Sequence, residues 1–499
     1  MKNATKLIAL LLVLCTALPL IVGCGNTQTT DPSDTDNNDT SIDGSVDTSD
    51  PAGVLNVPEK VNYDGHEFVF LVGTNVSTCP NIFSADEESD DPIDQAIYKR
   101  NLIAQNNYNI TITEVYKHLD ERTGKGAAYN EIFMAISSDD ILYDAAVAST
   151  YDCGTLAQSG YIADLRTYNE NLDITKNWWD QAANKQLTIF GCTYFTAGDI
   201  SYIDDNFTYA ITFNKDLAKT LDKTDLYELV ESGKWTYDEL YAYSKAIAVQ
   251  DTVVGFSDGD TYGFLGYTDT IWMTFSGIGG TVAAIGESGG LELTLNTERN
   301  FTLIQDWTDF RTSEAYVCWQ KDAAAKAKGW GAIFSENYAL FFGATIDGHY
   351  KLRNTDLDYG FLPFPKYDET QENYNSGMSP NHSSLFCIPN QGNDAERERT
   401  AILVQSLGYH SDEVISGFYE KNLQGKFFRD EESYMTLDII FANKVFDLGY
   451  YYNIGSYRAV MWTLFGNKDN TFSSRYAQNE PAALELIAKI NDLYRGLEN

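Results

Sequence analysis

Apolar runs alternate with helically spaced stretches from residue 66 onward. His66–Gly73 (HEFVFLVG) is apolar on both faces, the pattern of a strand covered on each side in a parallel sheet. Asp91-Pro92 supplies an N-cap and a first-turn proline, with Asp94 three positions into the turn. The helix they start is predicted to run to Asn107 and to hand over to a β-branched strand, Tyr108–Val115. A second helix is predicted over Ala127–Ser137 and a third strand over Ile141–Ala148. Strand, helix, strand, helix, strand in that order is a βαβαβ unit and requires a parallel sheet. Further on, Thr236 and Glu239 have the spacing of a capping box, with Trp235 placed to staple onto Leu240. Asn393 and Glu396 repeat that spacing before Arg397–Tyr409. No repeat period or heptad pattern is present, so the expected class is α/β throughout.

The two ends of the first sixty residues have a different character. Lys2 and Lys6 precede the apolar run Leu7–Val22, which is shorter than the roughly 18–20 residues needed to cross a bilayer. Residues 1–23 therefore read as a secretory signal. The run ends in Ile21-Val22-Gly23-Cys24, which resembles a bacterial lipobox; that resemblance makes Cys24 the lipidated residue and the mature N-terminus. Residues 24–60 are expected to be a disordered tether, because up to Ala52 they are almost only Asn, Thr, Asp, Ser and Gly. Such a segment reaches on the order of 30 Å.

Charge narrows the partners. The chain has 499 residues, with 35 Lys+Arg against 72 Asp+Glu, a formal charge of -37. Nucleic acid is excluded as a partner, since phosphate contacts need clustered cations, and so is docking on anionic lipid through protein charge. Aromatic supply is large, with 33 Tyr, 26 Phe and 8 Trp. Beyond Cys15 and Cys24 the cysteines are Cys79, Cys153, Cys192, Cys318 and Cys387, without a CxxC spacing. Buried free thiols are the expectation, and one disulfide stays open. The signatures of phosphate-binding loops, HExxH zinc sites, GxSxG nucleophiles and EF-hands are missing, and the histidines have no metal-ligand spacing. No catalytic residue, metal or cofactor is assigned. That pattern favours binding over turnover.

Several motifs in order resemble a known family. Tyr143-Asp144-Ala145-Ala146-Val147 is followed by Gly160-Tyr161-Ile162-Ala163-Asp164-Leu165, then Phe213-Asn214-Lys215-Asp216-Leu217, Gly233-Lys234-Trp235-Thr236 and Tyr359-Gly360-Phe361-Leu362-Pro363-Phe364-Pro365-Lys366. Over residues 61–499 the chain resembles an extracellular solute-binding lipoprotein of an ABC importer, of the family 1 (sugar-type) class. The resemblance implies a two-lobed, periplasmic-binding-protein-like α/β fold with hinge-linked lobes and a ligand cleft between them. On it, residues 61–200 and 365–425 form lobe one, and 201–364 and 426–499 form lobe two. It also implies an oligosaccharide as ligand, ABC permease subunits as partners, a monomer, and a lipid-anchored place on the extracellular face of the membrane. A peptide or polyamine ligand, or a surface glycoside hydrolase, are the alternatives.

Candidate ligand contacts follow from strand ends and hinges. Open α/β sheets bind beyond their strand carboxyl ends, which nominates Thr74 and Asn75 after the first strand and Tyr151 and Asp152 after the third. Tyr202, Asp204 and Asp205 lie in the polar loop DISYIDDN at the presumed first crossing; the alternative is a solvated acidic turn. Trp272 occupies a family-like position among apolar neighbours, where core packing is the competing reading. His382, with Asn381 and Ser383, sits in a hinge-like loop that hinge geometry alone also explains.

Overall fold

The computed structural model describes residues 53–75, 81–168, 170–251, 253, 255–419 and 430–496. The signal sequence, Cys24, the tether up to residue 52 and Cys79 lie outside the described residues. Three strands open the first sheet: β1 (His66–Thr74), β2 (Ile110–His118) and β3 (Ala145–Ser149). β1 is parallel to both neighbours, with His66 opposite Ile110 and Phe70 opposite Ala145. The second sheet is built from β4 (Tyr209–Asn214), β5 (Tyr262–Gly266), β6 (Tyr316–Cys318), β7 (Ala339–Thr345) and β8 (Tyr359–Leu362). Its order is β8-β4-β7-β5-β6, with β4 antiparallel to both neighbours and β5 parallel to both of its own. The chain then returns to add β9 (Ser384–Cys387) antiparallel to β3, giving the first sheet the order β9-β3-β1-β2.

The reason for each lobe is local. β1 is buried on both faces from Phe70 onward, and the ring of Phe70 stacks on Phe83 at 3.8 Å. Each such fully buried side chain contributes about 1.5–3 kcal/mol. Gly73 is required because a Cβ there would come within 2.6 Å of the Ala128 backbone. That close approach seats the helix Ala127–Ser138 on the sheet. Asp91 caps the helix Pro92–Tyr108 by accepting from the Ile93 N–H, and Asn109 ends it in a left-handed conformation. The helix therefore takes Tyr108, and its cap takes Asn109, from the stretch that the sequence pattern assigned to β2.

Two other expectations are corrected. Ile141 and Leu142 are exposed and precede β3, because Asp144 turns its side chain to accept the Val69 N–H and pairing starts only at Ala145. The Thr236–Glu239 capping box does not form: the Thr236 side chain makes no cap bond, and the Tyr237 N–H donates to the Lys366 carbonyl. The box at Asn393 and Glu396 forms in both directions, at 3.2 and 2.8 Å.

Among the described residues two crossings join the lobes. The first runs from Thr196, paired with Phe386, to Thr208, paired with Met378, so the second crossing lies antiparallel beside it. The helix Glu431–Ala442 packs on β8 through Thr436, whose hydroxyl donates to the Phe361 carbonyl. Packing on lobe one begins before residue 61, since Val57 is buried and the Pro58 carbonyl accepts from the Tyr108 hydroxyl. Near the second crossing, Gly377 donates its N–H to the Ser276 hydroxyl. Among the described residues Cys153, Cys192, Cys318 and Cys387 are free and buried.

Candidate functional site

The carboxyl ends of the parallel strands in both sheets feed one cluster between the lobes. From lobe one, β3 runs into the helix Thr150–Gln158, which carries Tyr151. From lobe two, β5 is followed by Tyr267, Asp269 and the helix Thr270–Gly277 with Trp272. The helix Tyr457–Asn467 adds Arg458 and Trp462, and the second crossing adds Asn381 and His382. Tyr151 donates its hydroxyl to Asn381 Oδ1 at 2.6 Å. The Arg458 guanidinium lies 4.3 Å from the Tyr151 ring centre and 5.3 Å from that of Trp272. A cation between two aromatic faces is attracted by both quadrupoles. Trp272 donates its indole N–H to the Arg458 carbonyl at 3.0 Å. Nearby the backbones of the two lobes nearly touch: a Cβ on Gly154 would sit 2.4 Å from the Tyr451 carbonyl.

Asp269 is the polar centre of the cluster. Its carboxylate accepts from the Trp462 indole at 2.7 Å and from Asn381 Nδ2 at 3.3 Å. Burial pushes its pKa up, while the Trp462 bond, His382 and Arg122 pull it back. His382, whose ring is 5.7 Å from Phe207, is pushed down by burial and held up by Asp269. Half-buried aromatic residues flank this centre at the strand ends of lobe two. Tyr267 and Trp319 lie edge to face at 5.6 Å, and the Lys321 ammonium is 5.6 Å from the Trp462 ring. The arrangement offers flat apolar faces beside fixed donors and acceptors, and it assembles no nucleophile with an adjacent base.

Of the residues singled out in the sequence, Tyr151, Trp272 and His382 come together here. Trp272 is buried beneath Arg458 and supports it rather than presenting a free face. The others are placed elsewhere. Thr74 is fully buried, and its carbonyl accepts from the Leu119 N–H. Asn75 donates to the Ser149 hydroxyl at 2.9 Å. Asp152 accepts the backbone N–H groups of Gly126 and Tyr129, at 2.6 and 3.2 Å, at the start of the helix Ala127–Ser138. Burial pushes its carboxyl up to about 6 against those bonds.

Tyr202 stacks on Phe418 at 5.3 Å. Asp204 and Asp205 are neither solvated nor in the Tyr151 cluster. Together with Asp180 they surround the Lys444 ammonium at 2.7, 2.8 and 2.7 Å, and Lys444 is buried. Burial disfavours that ammonium, but the three carboxylates more than reverse the effect and hold its pKa well above the ordinary value. A cavity of about 650 Å3 opens beside this cluster, lined in part by Trp179, Asp199, Tyr419 and Phe441. Among the described residues no set of His, Cys, Asp and Glu is arranged to hold a metal ion.

No protein-family model matches the chain, and no curated protein matches it. Solved structures do. An ABC substrate-binding protein of Listeria monocytogenes, in complex with cycloalternan, superposes with a TM-score of 0.54 at 12% identity, over 85% of this chain and 100% of its own. A cyclo/maltodextrin-binding protein complexed with maltotetraose gives 0.53 at 13% identity, over 85% and 97%. A family 1 extracellular solute-binding protein from Bifidobacterium longum subsp. infantis gives 0.50 at 16%, over 85% and 98%. The chain has the fold of the sugar-type ABC solute-binding proteins. In a solute-binding fold the strand-end rule applies to both lobes. Asp269 after β5 was open to the rule that nominated Tyr151. Arg458 and Trp462 carry no comparable signal, because they reach the cluster from a helix late in the chain.

Proposed function

We propose that this protein is an extracellular, lipid-anchored binding protein that captures an oligosaccharide between its lobes and delivers it to an ABC permease. The observation that carries the reading is the convergence of aromatic faces with the Asp269–Asn381–Trp462 hydrogen-bond network between two hinged lobes. Sugars present apolar C–H faces and a ring of hydroxyls, and that combination suits both halves of the site. Closure about the crossings would replace the hydration of the ligand with these fixed groups. The lipobox at Cys24 supports the anchor, which would hold the protein at the membrane without a spanning helix. Among the described residues no helix is long and apolar enough to cross one. The polyamine reading loses its motive, because the acidic DISYIDDN loop already holds the Lys444 ammonium.

The test is a titration of intrinsic tryptophan fluorescence against a panel of neutral oligosaccharides, with product analysis of the same mixtures. A saturable change with the saccharide recovered intact is expected. A flat response across all sugar classes, or hydrolysis of the bound sugar, would refute the proposal.

A further inference from the structure

A second charged pocket lies in lobe two, outside the Tyr151–Asp269 cluster. The helix Glu298–Thr312 ends with Arg311, whose side chain is 5% exposed. Its guanidinium is packed against two aromatic rings, 5.6 Å from the centre of Tyr316 and 5.9 Å from that of Phe465. Both rings are within cation–π reach of the guanidinium. Nε has no acceptor, and among the described residues no carboxylate lies within ion-pair distance of the group. Buried charges in proteins are normally paired, and a planar guanidinium edge is matched to the two oxygens of an oxyanion.

The edge of the sheet supplies the rest of a site. Arg311 lines a cavity of about 250 Å3 shared with Lys321, Lys468, Gln250, Glu314 and Asp322. Three basic residues and two acidic ones line it, in a chain whose overall charge is -37. Of those two, Asp322 is already committed: its oxygens accept from the backbone N–H groups of Phe256 and Ala325. Glu314 is exposed, and the buried Cys318 thiol is kept neutral by burial. Lys468, largely exposed, is pushed down by the partial burial of its side chain and then by the neighbouring Arg311 charge, a penalty that a bound anion would relieve.

We propose that this cavity binds a small tetrahedral oxyanion of the phosphate or sulfate class, clasped by the Arg311 edge and neutralised with Lys468. The proposal is independent of what occupies the cleft between the lobes.

Inorganic phosphate and sulfate are the probes. The purified full chain is melted in increasing phosphate, with sodium chloride added to hold ionic strength constant, beside Arg311→Met and Lys468→Gln. A ligand that binds only the folded state raises the melting temperature saturably. The expected result is a saturable rise in phosphate or sulfate, lost in Arg311→Met and moved to severalfold higher anion concentration in Lys468→Gln. Lys468 is exposed, so that variant decides the matter even where Arg311→Met fails to fold. A response no greater than that to chloride, or one unchanged in Lys468→Gln, overturns the proposal.

Discussion

Replacing Lys444 by methionine removes the cation that, among the described residues, the carboxylates of Asp180, Asp204 and Asp205 share. The ammonium is within 2.7–2.8 Å of Asp180, Asp204 and Asp205, so the bonded oxygens are no more than about 5.5 Å apart from one another. At an effective dielectric of about 20, two unit charges at that distance repel by about 3 kcal/mol. The variant can escape part of this by taking up protons, which limits the loss. Removing one partner of a buried ion pair costs about 3–5 kcal/mol, and we expect that range for Lys444→Met at pH 7.5.

The pH dependence gives the sharper test. In the wild type, burial and the neighbouring carboxylates push Asp204 up while Lys444 pulls it down. Without Lys444 the downward pull is gone, so the folded cluster holds its protons more tightly than the unfolded chain does. Stability gained that way is present at acid pH and is lost as the pH rises through the folded-state value. The deficit of Lys444→Met should therefore be large at pH 7.5 and small at pH 5. Urea unfolding of both proteins at the two pH values, followed by far-UV circular dichroism, measures it. Equal stability at pH 7.5, or the same deficit at both pH values, would refute the account of the cluster.

Three further outcomes are expected. Burial pushes Asp199 and Asp447 up to about 7, so the stability tied to their bound protons is present below pH 4 and lost as the pH rises through 7. Buried His349, pushed down to about 3, acts in the opposite sense but only below its unfolded value of about 6.5. The melting temperature should accordingly fall between pH 6.5 and 8 and the fall should be shallower in Asp447→Asn; a steady rise through pH 8 would contradict both assignments. Trp462→Ala should weaken saccharide binding about tenfold, the ~1.4 kcal/mol scale of one aromatic face, in the same fluorescence titration. Cys24→Ser should move the protein from the membrane pellet to the soluble fraction, and an unchanged distribution would count against the lipid anchor.

Much of the fold was legible because lobe one begins with a regular alternation. HEFVFLVG, the Asp91-Pro92 cap and the helical stretch from Ala127 each state a local preference that packing then keeps. What failed was decided by residues distant in the chain. Thr236 has the capping pattern, yet the Lys366 carbonyl takes the neighbouring N–H. Asp204 and Asp205 look like ligand acceptors in a loop of eight residues, while the lysine that claims them is about 240 positions away. The cleft shows the same limit. Tyr151 could be found from its strand, but the arginine stacked on it comes from a helix near the other end of the sequence.

The placement of β9 has a consequence for how the molecule is made. The strand that completes the first sheet is synthesised only after all five strands of the second. A nascent chain emerging from its N-terminus would expose the open side of β3 until Ser384–Cys387 arrives, and such long-range pairing is intrinsically slow. A nascent chain cut off just short of Ser384 would therefore leave the first sheet with an unpaired edge prone to sticking to other copies.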